Sequence, residues 1–190
     1  AIKELPQTTE VHIVSVDNEC KELLFMLRPK AVVERKIHCV NLKKNGTTEV
    51  FAYNESEENS ANSHYTEKVE NYIYEPNVSI LKAGAFKITG ERYGLNKLHP
   101  NSHLYTSSNL YEDFQGRIFY CERVLSPTKT HLKTFLPKGK KANITVRNFP
   151  MSVAELRKKT QLIDGGERYI FATTLANEQH VLILCRKLSL

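Results

Sequence analysis

The sequence predicts an α+β protein, and the last third of the chain shows this most clearly. Short apolar runs typical of strands are separated there by two segments that carry helix-capping residues, in the order β-α-β-α-β-β. With 190 residues, 41% of them hydrophobic, the chain has the composition of a globular protein with one large or two small cores. Two helices among four strands indicate a small layered domain.

The beginning of the chain is predicted to contain strands, one helix and a hairpin. Val11–Val16 is short, apolar and β-branched, which is typical of a buried strand. Asn18 is a good N-cap and the leucines that follow it have helical spacing, so a helix is predicted there. These leucines are Leu23, Leu24 and Leu27. Residues 32–42 and 49–53 are predicted strands, joined by a tight hairpin because the Asn-Gly pair between them favours positive φ angles.

The middle of the chain is predicted to contain a linker and a loop-rich segment. Residues 55–66 have almost no apolar side chains, so we expect a linker there and a domain boundary at its start. Asn77 is predicted to cap a helix that ends near Gly84. Residues 90–116 are rich in Gly, Asn, Ser, His and Tyr, which predicts mostly loops with short elements.

The elements of the last third have recognisable boundaries. Pro127 follows Ser126 and predicts the start of a helix that runs to about Leu136. The string S-V-A-E that begins at Ser152 is a capping box, so a second helix is predicted to run to about Thr160. The predicted strands are Arg117–Val124, Asn143–Phe149, Tyr169–Leu175 and His180–Leu188, of which the last two form a hairpin.

The positive charge of the chain is concentrated in one block. Residues 129–159 carry nine cations and one carboxylate, a net charge of +8, although the whole chain is only +6. The cations are Lys129, Lys133, Lys138, Lys140, Lys141, Arg147, Arg157, Lys158 and Lys159. Such a block is typical of phosphate binding, although a run of lysines is also typical of a solvated face. Residues 138–141 are predicted to be a flexible loop without a nearby acid, which favours phosphate contacts.

The cysteines and the hydropathy pattern indicate a location. The four cysteines stand far apart without a C-x-x-C pair, which fits reduced thiols better than a zinc site or a disulfide scaffold. No stretch approaches the roughly 18 consecutive apolar residues that would span a bilayer, and the first residues lack the features of a signal peptide. We therefore expect a cytoplasmic protein that contacts no membrane.

No motif of an enzyme active site is recognised in the sequence. His99 and His103 have a spacing that two metal ligands could use, but Pro100 opposes a helix and no third ligand is indicated. The sequence has no G-x-S-x-G nucleophile elbow, no G-x-G-x-x-G and no P-loop. No catalytic residue, cofactor-binding residue or metal ligand is therefore predicted in this chain.

Four longer strings resemble one family. They are N-E-C-K-E-L-L from Asn18 after V-H-I-V-S-V, Y-I-Y-E-P-N-V-S-I-L-K-A-G-A-F from Tyr72, S-H-L-Y-T-S from Ser102, and I-T-V-R-N-F-P-M-S-V-A-E-L-R-K-K from Ile144. Together they resemble the C-terminal part of the bacterial THUMP-like, class I SAM-dependent methyltransferases typical of Bacteroidetes. The resemblance covers nearly the whole chain.

This resemblance implies a three-part organisation. In that family a Rossmann-like methyltransferase domain is followed by a ferredoxin-like segment and a terminal THUMP-like module. Residues 1–54 then look like the closing strands of the methyltransferase sheet, residues 55–66 like the linker, residues 67–116 like the ferredoxin-like segment and residues 117–190 like the THUMP-like domain. The glycine-rich loop that holds the cofactor is absent from this sequence. We expect a part that is not catalytic by itself, of a protein whose full length uses S-adenosylmethionine.

The resemblance also implies partners. THUMP domains are associated with binding structured RNA, so we expect RNA, tRNA or rRNA, to contact the basic block. The candidate contacts are Lys138, Lys140, Lys141, Arg147, Arg157, Lys158 and Lys159. Other expected partners are the protein's own N-terminal methyltransferase domain and a second copy of the chain, paired through an exposed sheet edge.

Several alternatives stay open. Glu75 and Asn77 flank a proline, as in the motif that frames the target nitrogen in amino-group methyltransferases, so they could face the catalytic cleft, although a helix cap is expected for Asn77. Tyr93, Tyr105 and Tyr111 could stack on bases, although core packing is the commoner use of tyrosine. The alternative for the whole chain is a structural or protein-interaction extension whose lysines only form a solvated basic face.

Overall fold

The computed structural model describes residues 5–30, 34–136 and 138–189, and the chain forms two compact units. Unit 1 comprises residues Ala1–Ser63 and Pro76–Gly94. Unit 2 comprises residues His64–Glu75 and Leu95–Leu190. Each unit is thus built from two separate segments of the chain. The division of the sequence at residues 54, 66 and 116 does not coincide with these units and stays a prediction.

Unit 1 contains a four-stranded mixed sheet and three short helices. The strands are β1 (Thr8–Val16), β2 (Glu19–Leu27), β3 (Lys36–Leu42) and β4 (Thr48–Asn54), and the helices are α1 (Glu55–Ser60), α2 (Val78–Ala83) and α3 (Phe86–Arg92). The strand order is β2-β1-β3-β4, in which β1 and β3 are parallel and the other pairs antiparallel. The core lies between one face of this sheet and the helices, and includes Val11, Ile13, Ile37, Cys39, Phe51, Ile80 and Ile88.

The prediction of a helix after Asn18 is wrong, because residues 19–27 form strand β2. Asp17 and Asn18 have φ angles of +48° and +64°, which is the backbone of a two-residue hairpin turn. Asn18 is therefore a turn residue and not a helix cap. The leucines with helical spacing, Leu23, Leu24 and Leu27, are at least half exposed on β2, which lies at the edge of the sheet.

The predicted hairpin between β3 and β4 is confirmed, whereas part of the predicted linker is helical. Strands β3 and β4 pair across a turn in which Gly46 has a φ of +82°. The predicted start of the first of these strands at Val32 lies outside the described residues. Part of the stretch predicted as a linker forms α1, since the Glu57 carboxylate accepts a hydrogen bond from the Asn54 N–H at 2.6 Å.

Unit 2 is built on a seven-stranded sheet. The strands are β5 (Tyr72–Pro76), β6 (Asn96–Lys97), β7 (Tyr105–Ser107), β8 (Gly116–Leu125), β9 (Asn143–Arg147), β10 (Arg168–Thr174) and β11 (His180–Lys187), in the order β6-β7-β5-β8-β11-β10-β9. The last residue of β5, Pro76, belongs to unit 1. The helices are α4 (Lys129–Phe135) and α5 (Val153–Thr160). The predicted β-α-β-α-β-β order of the last third and the mixed α+β class are confirmed.

The two faces of this sheet bury separate cores, because successive strand residues point to opposite sides. On one face, Ile170 and Leu182 pack with Leu132 of α4 and Leu156 of α5. The opposite face is dominated by aromatic and aliphatic side chains, among them Leu98, Leu104, Phe119, Phe171 and Ile183. Helices α4 and α5 therefore lie on one side of the sheet.

Two further predictions can be compared with the structure. Between the end of α3 and the start of β8 at Gly116, residues 90–116 contain only the short strands β6 and β7, as expected for a loop-rich segment. All four cysteines are unpaired thiols, as predicted. Among the described residues, none of the helices has the length and apolarity needed to cross a membrane.

Candidate nucleic-acid interface

Helix α5 presents two of the predicted lysines at its C-terminal end. Its start is the predicted capping box, in which the Ser152 hydroxyl accepts from the Glu155 N–H at 3.3 Å and the Glu155 carboxylate accepts from the Ser152 N–H at 2.7 Å. Leu156 is 2% exposed and fixes the inner face of the helix in the core. Lys158 and Lys159 consequently lie in the last turn with both side chains exposed.

The loop that holds the other three lysines runs beside the segment that follows α5. The Gly139 N–H donates to the Gln161 carbonyl at 3.1 Å, and the Lys140 carbonyl accepts from the Ile163 N–H at 2.9 Å. The loop predicted to be flexible is thus tied by backbone hydrogen bonds to residues 161–163. We refer to the five lysines on these two adjoining segments, Lys138, Lys140, Lys141, Lys158 and Lys159, as the lysine patch.

A glycine allows a third segment to approach the lysine patch. Gly166 has a φ of +79°, and a Cβ added there would lie 2.9 Å from the Cβ of Lys141. Its carbonyl accepts from the Asn143 side-chain amide at 2.7 Å. Any larger residue at position 166 would therefore be strained and would press against Lys141. The loop that carries Lys138, Lys140 and Lys141 is therefore contacted both by residues 161–163 and by Gly166.

The charges of the lysine patch are not compensated within the described residues. All five lysines are exposed, and none of them forms an ion pair in the described part of the chain. Of the neighbouring acids, Asp164 pairs with Arg157, and Glu155 is held by its own cap, where the N–H and hydroxyl of Ser152 lower the pKa of its carboxyl. Glu167 is an exposed acid on the next loop. The patch retains a clear excess of positive charge.

Arg157 and Arg147, also predicted to contact RNA, are occupied in ion pairs instead. Arg157 binds Asp164 and also reaches the Ala142 carbonyl at 3.4 Å. Arg147 Nη2 lies 3.1 Å from Glu75 Oε1. Arg147 ends β9, so it is about 20 Å of extended chain away from Lys141. The predicted seven-residue set is therefore divided by the structure. The side chains of Lys129 and Lys133, on α4, lie outside the described residues.

Glu75 and Asn77, predicted as residues that could face a catalytic cleft, are both 2% exposed. Glu75 binds Arg147 through one oxygen and Arg117 Nε through the other at 2.8 Å. Asn77 caps α2 as expected, since its Oδ1 accepts from the Ile80 N–H at 3.2 Å. Both side chains are engaged in contacts of this chain, and a role toward a methyltransferase domain stays a prediction.

His103 lies near Arg147, and His99 contacts Asn148, the residue after Arg147. His99 Nε2 is 3.1 Å from the Glu178 carboxylate, and its Nδ1 accepts from the Asn148 amide at 2.9 Å. Burial first, and then the charges of Lys97 and Arg147, lower the pKa of His103 to about 4. This cationic setting does not favour a metal ion between the two histidines.

Tyr105 is fully buried, which excludes base stacking by this side chain, whereas Tyr93 and Tyr111 are half-buried. A cleft of about 330 Å³ lies between β8, β11 and residues 67–69. Its charged lining residues are Glu67 and Lys68, and the remainder is apolar or small and polar. This cleft was not predicted, because its walls come from three segments that are distant in sequence.

Sequence reasoning missed one group of ligand-type side chains. Glu10, His12 and His38 bring their ligand atoms within 4.8 Å of one another on the sheet of unit 1. Alternation along β1 and β3 could have put them on one face, but the helix wrongly predicted between these strands concealed that they are neighbours.

Comparisons with known proteins identify the surroundings of the lysine patch. Residues 72–114 match the model of a ferredoxin-like domain, and residues 116–187 match that of a THUMP domain-like family. The chain contains a THUMP-like domain. The lysine patch lies entirely within this THUMP-like domain, and the expected ferredoxin-like and THUMP-like parts are confirmed.

A solved structure is similar over nearly the whole chain. It is a crystal structure described as a "putative methyltransferase" from Porphyromonas gingivalis W83, with 38% sequence identity and a TM-score of 0.90. The match covers 99% of this chain and 48% of that chain, so this chain spans about half the length of its structural relative. A comparison with curated proteins found no match.

Proposed function

We propose that the THUMP-like domain is the RNA-binding, substrate-presenting part of a bacterial, cytoplasmic RNA methyltransferase, and that the lysine patch contacts RNA phosphates. The observation that carries this proposal is the group of five exposed lysines on two hydrogen-bonded segments, without ion pairs in the described residues. S-adenosylmethionine binding and methyl transfer would belong to a separate N-terminal domain, for which residues 1–54 would supply the closing strands. The similarity to a protein described as a methyltransferase supports this assignment.

The chemistry of the patch fits backbone contacts better than base readout. Lysine ammonium groups are mobile point charges that bind phosphate oxygens without fixed geometry. The burial of Tyr105 removes one of the three tyrosines considered for stacking. The patch would therefore position an RNA by its fold and charge, and the choice of the modified base would lie elsewhere.

A salt titration tests this function. Total tRNA is titrated with the chain by filter binding at several salt concentrations, and log K is plotted against log salt. Five lysine contacts predict a slope of roughly −3.5, and a Lys138→Ala, Lys140→Ala, Lys141→Ala variant should reduce it to roughly −1.4. An absence of binding at low salt, or an unchanged slope in the variant, would contradict the proposal.

A second candidate function, a protein-interaction extension, is favoured by a different observation. Strand β2 lies at the edge of its sheet, and Leu23, Leu24, Met26 and Leu27 are 50 to 57% exposed there. An exposed apolar edge strand is a template for pairing with another chain. We take this other chain to be a second copy of the protein, and a sedimentation experiment detects such a dimer directly. A dimer that Leu24→Lys and Met26→Lys dissociate would support this function, and a monomer at high concentration would oppose it.

A further inference from the structure

The parallel pairing of β1 with β3 brings two histidines together on the outer face of unit 1. His12 and His38 are register partners in this pair. Their strand neighbours Val11 and Ile37 are buried in the core, so the histidines point to the opposite face of the sheet. Glu10, two residues before His12, points to that same face.

The ligand atoms of the three side chains lie within 4.8 Å of one another. The two imidazole rings are stacked, with centroids 4.4 Å apart and planes within 4° of parallel. Glu10 Oε2 lies 3.2 Å from His12 Nε2 and 3.3 Å from His38 Nε2. The side chains are 19 to 31% exposed, so the group is partly shielded but open on one side.

Hydrogen bonding within the chain does not account for the whole arrangement. Glu10 and His12 form a hydrogen bond, but the contact to His38 lacks hydrogen-bond geometry, and His38 Nε2 is a buried nitrogen without a hydrogen-bond partner. A buried polar nitrogen without a partner costs free energy.

The donor atoms and their spacing fit one class of cation. Two ligands at about 2.1 Å from a tetrahedral ion lie about 3.4 Å apart, which is close to the observed separations from Glu10 to each histidine. Two imidazole nitrogens and one carboxylate oxygen suit Zn²⁺ and related first-row divalent ions, whereas Ca²⁺ and Mg²⁺ prefer all-oxygen sites. Cys39 is buried in the core on the other face and cannot contribute a thiolate.

We propose that Glu10, His12 and His38 form a Zn²⁺-binding site on the outer face of the unit 1 sheet, with one coordination position left to water. Lys36 pairs with Glu10 across the strands, and its charge opposes the cation, so the site would bind more weakly than a four-ligand structural site. The site lies in unit 1 and is independent of the lysine patch.

Direct metal binding tests the proposal. Tag-free protein, freed of metal with a chelator, is titrated with ZnCl₂ by calorimetry and with CoCl₂ by visible absorption. We expect one equivalent to bind, tetrahedral Co²⁺ absorption bands, and a thermal midpoint that rises with Zn²⁺. Glu10→Gln, His12→Ala and His38→Ala should each weaken Zn²⁺ binding at least tenfold.

His64, an exposed histidine of unit 2, provides the matched control. His64→Ala should bind one equivalent with unchanged affinity. Glu10→Gln keeps the size of the side chain, and circular dichroism of each variant distinguishes a lost ligand from a lost fold. Absence of stoichiometric Zn²⁺ binding by the wild-type chain, or equal binding by the folded Glu10→Gln and His64→Ala variants, would overturn the proposal.

Discussion

The two ends of the segment that includes β9 use their positive charges in opposite ways. At the beginning, Lys138, Lys140 and Lys141 are exposed and have no ion pair in the described residues. At the end, Arg147 is bound to the buried carboxylate of Glu75. Both sets belong to the same basic block of the sequence, yet only the first set is without an ion pair in the described residues.

The difference follows from the chemistry of the two cations. A guanidinium offers a planar set of donors that matches a carboxylate, so arginine suits buried ion pairs. An ammonium group is strongly hydrated and remains in water unless a partner displaces the water. Of the seven residues predicted to contact RNA, the five lysines have no ion pair in the described residues, and the two arginines each pair with a carboxylate.

The largest expected effect comes from reversing the charge of the lysine loop. Lys138→Glu, Lys140→Glu and Lys141→Glu together should lower tRNA affinity by about 100-fold at low salt, because three phosphate contacts become repulsive. A matched variant, Lys30→Glu, Lys44→Glu and Lys82→Glu in unit 1, changes the net charge equally. Filter binding should show a much smaller loss for this control, and equal losses would show that net charge alone binds the RNA.

Breaking the ion pairs at the other end should affect stability. Glu75→Gln leaves Arg117 and Arg147 without their carboxylate, whose side chain is only 3% exposed, and should lower the free energy of unfolding by about 2 kcal/mol. Urea denaturation measures this change. Glu178→Gln is the control, since that side chain is 78% exposed and its loss should cost under about 1 kcal/mol. Similar values for both variants would contradict a structural role for Glu75.

The histidine beside Arg147 should make stability depend on pH. Because the folded pKa of His103 is about 4 against 6.5 ordinarily, the unfolded chain takes up the proton first as the pH falls. Stability should therefore decrease from pH 6.5 to 4, by about 1 kcal/mol after allowance for solvent screening. His103→Asn tolerates the φ of +53° and should remove this decrease. Superimposable pH profiles of wild type and variant in urea unfolding would refute it.

The smallest effect concerns the one arginine adjacent to the lysine patch. Asp164→Asn releases Arg157 from its ion pair and removes a negative charge, so tRNA affinity should rise about twofold. Stability should change by less than about 0.5 kcal/mol, because Asp164 is 81% exposed. Filter binding that shows reduced affinity would mean that the ion pair helps to hold the patch in place.

Local sequence signals predicted much of unit 2. The capping box at Ser152, the apolar runs of β10 and β11 and the start signal at Pro127 act within a few residues; each element is present, and α4 begins two residues after Pro127. The same kind of signal correctly predicted the cap at Asn77. These interactions join residues that are close in sequence, so the pattern of neighbouring residues is sufficient to predict them.

The predictions that failed concern a segment with two competing sequence patterns and contacts between residues that are far apart in sequence. For residues 19–27, a helix pattern and a turn pattern coexist, and the positive φ angles of Asp17 and Asn18 together with pairing to β1 decided for a strand. The pairing of Arg147 with Glu75 spans 72 residues, and that of His12 with His38 depends on strand order. Neither contact can be recognised from neighbouring residues in the sequence. The concentration of lysines is visible in the sequence because it is local, whereas the ion pairs of Arg147 and Arg157 were not predicted.

The interrupted segments of unit 1 have a consequence for synthesis of the protein. Ile80 and Ile88 belong to the same core as the first four strands, although residues 64–75 belong to unit 2. This core can therefore close only after residues up to Gly94 have left the ribosome. Until then, strands β1 to β4 of the nascent chain lack helices α2 and α3.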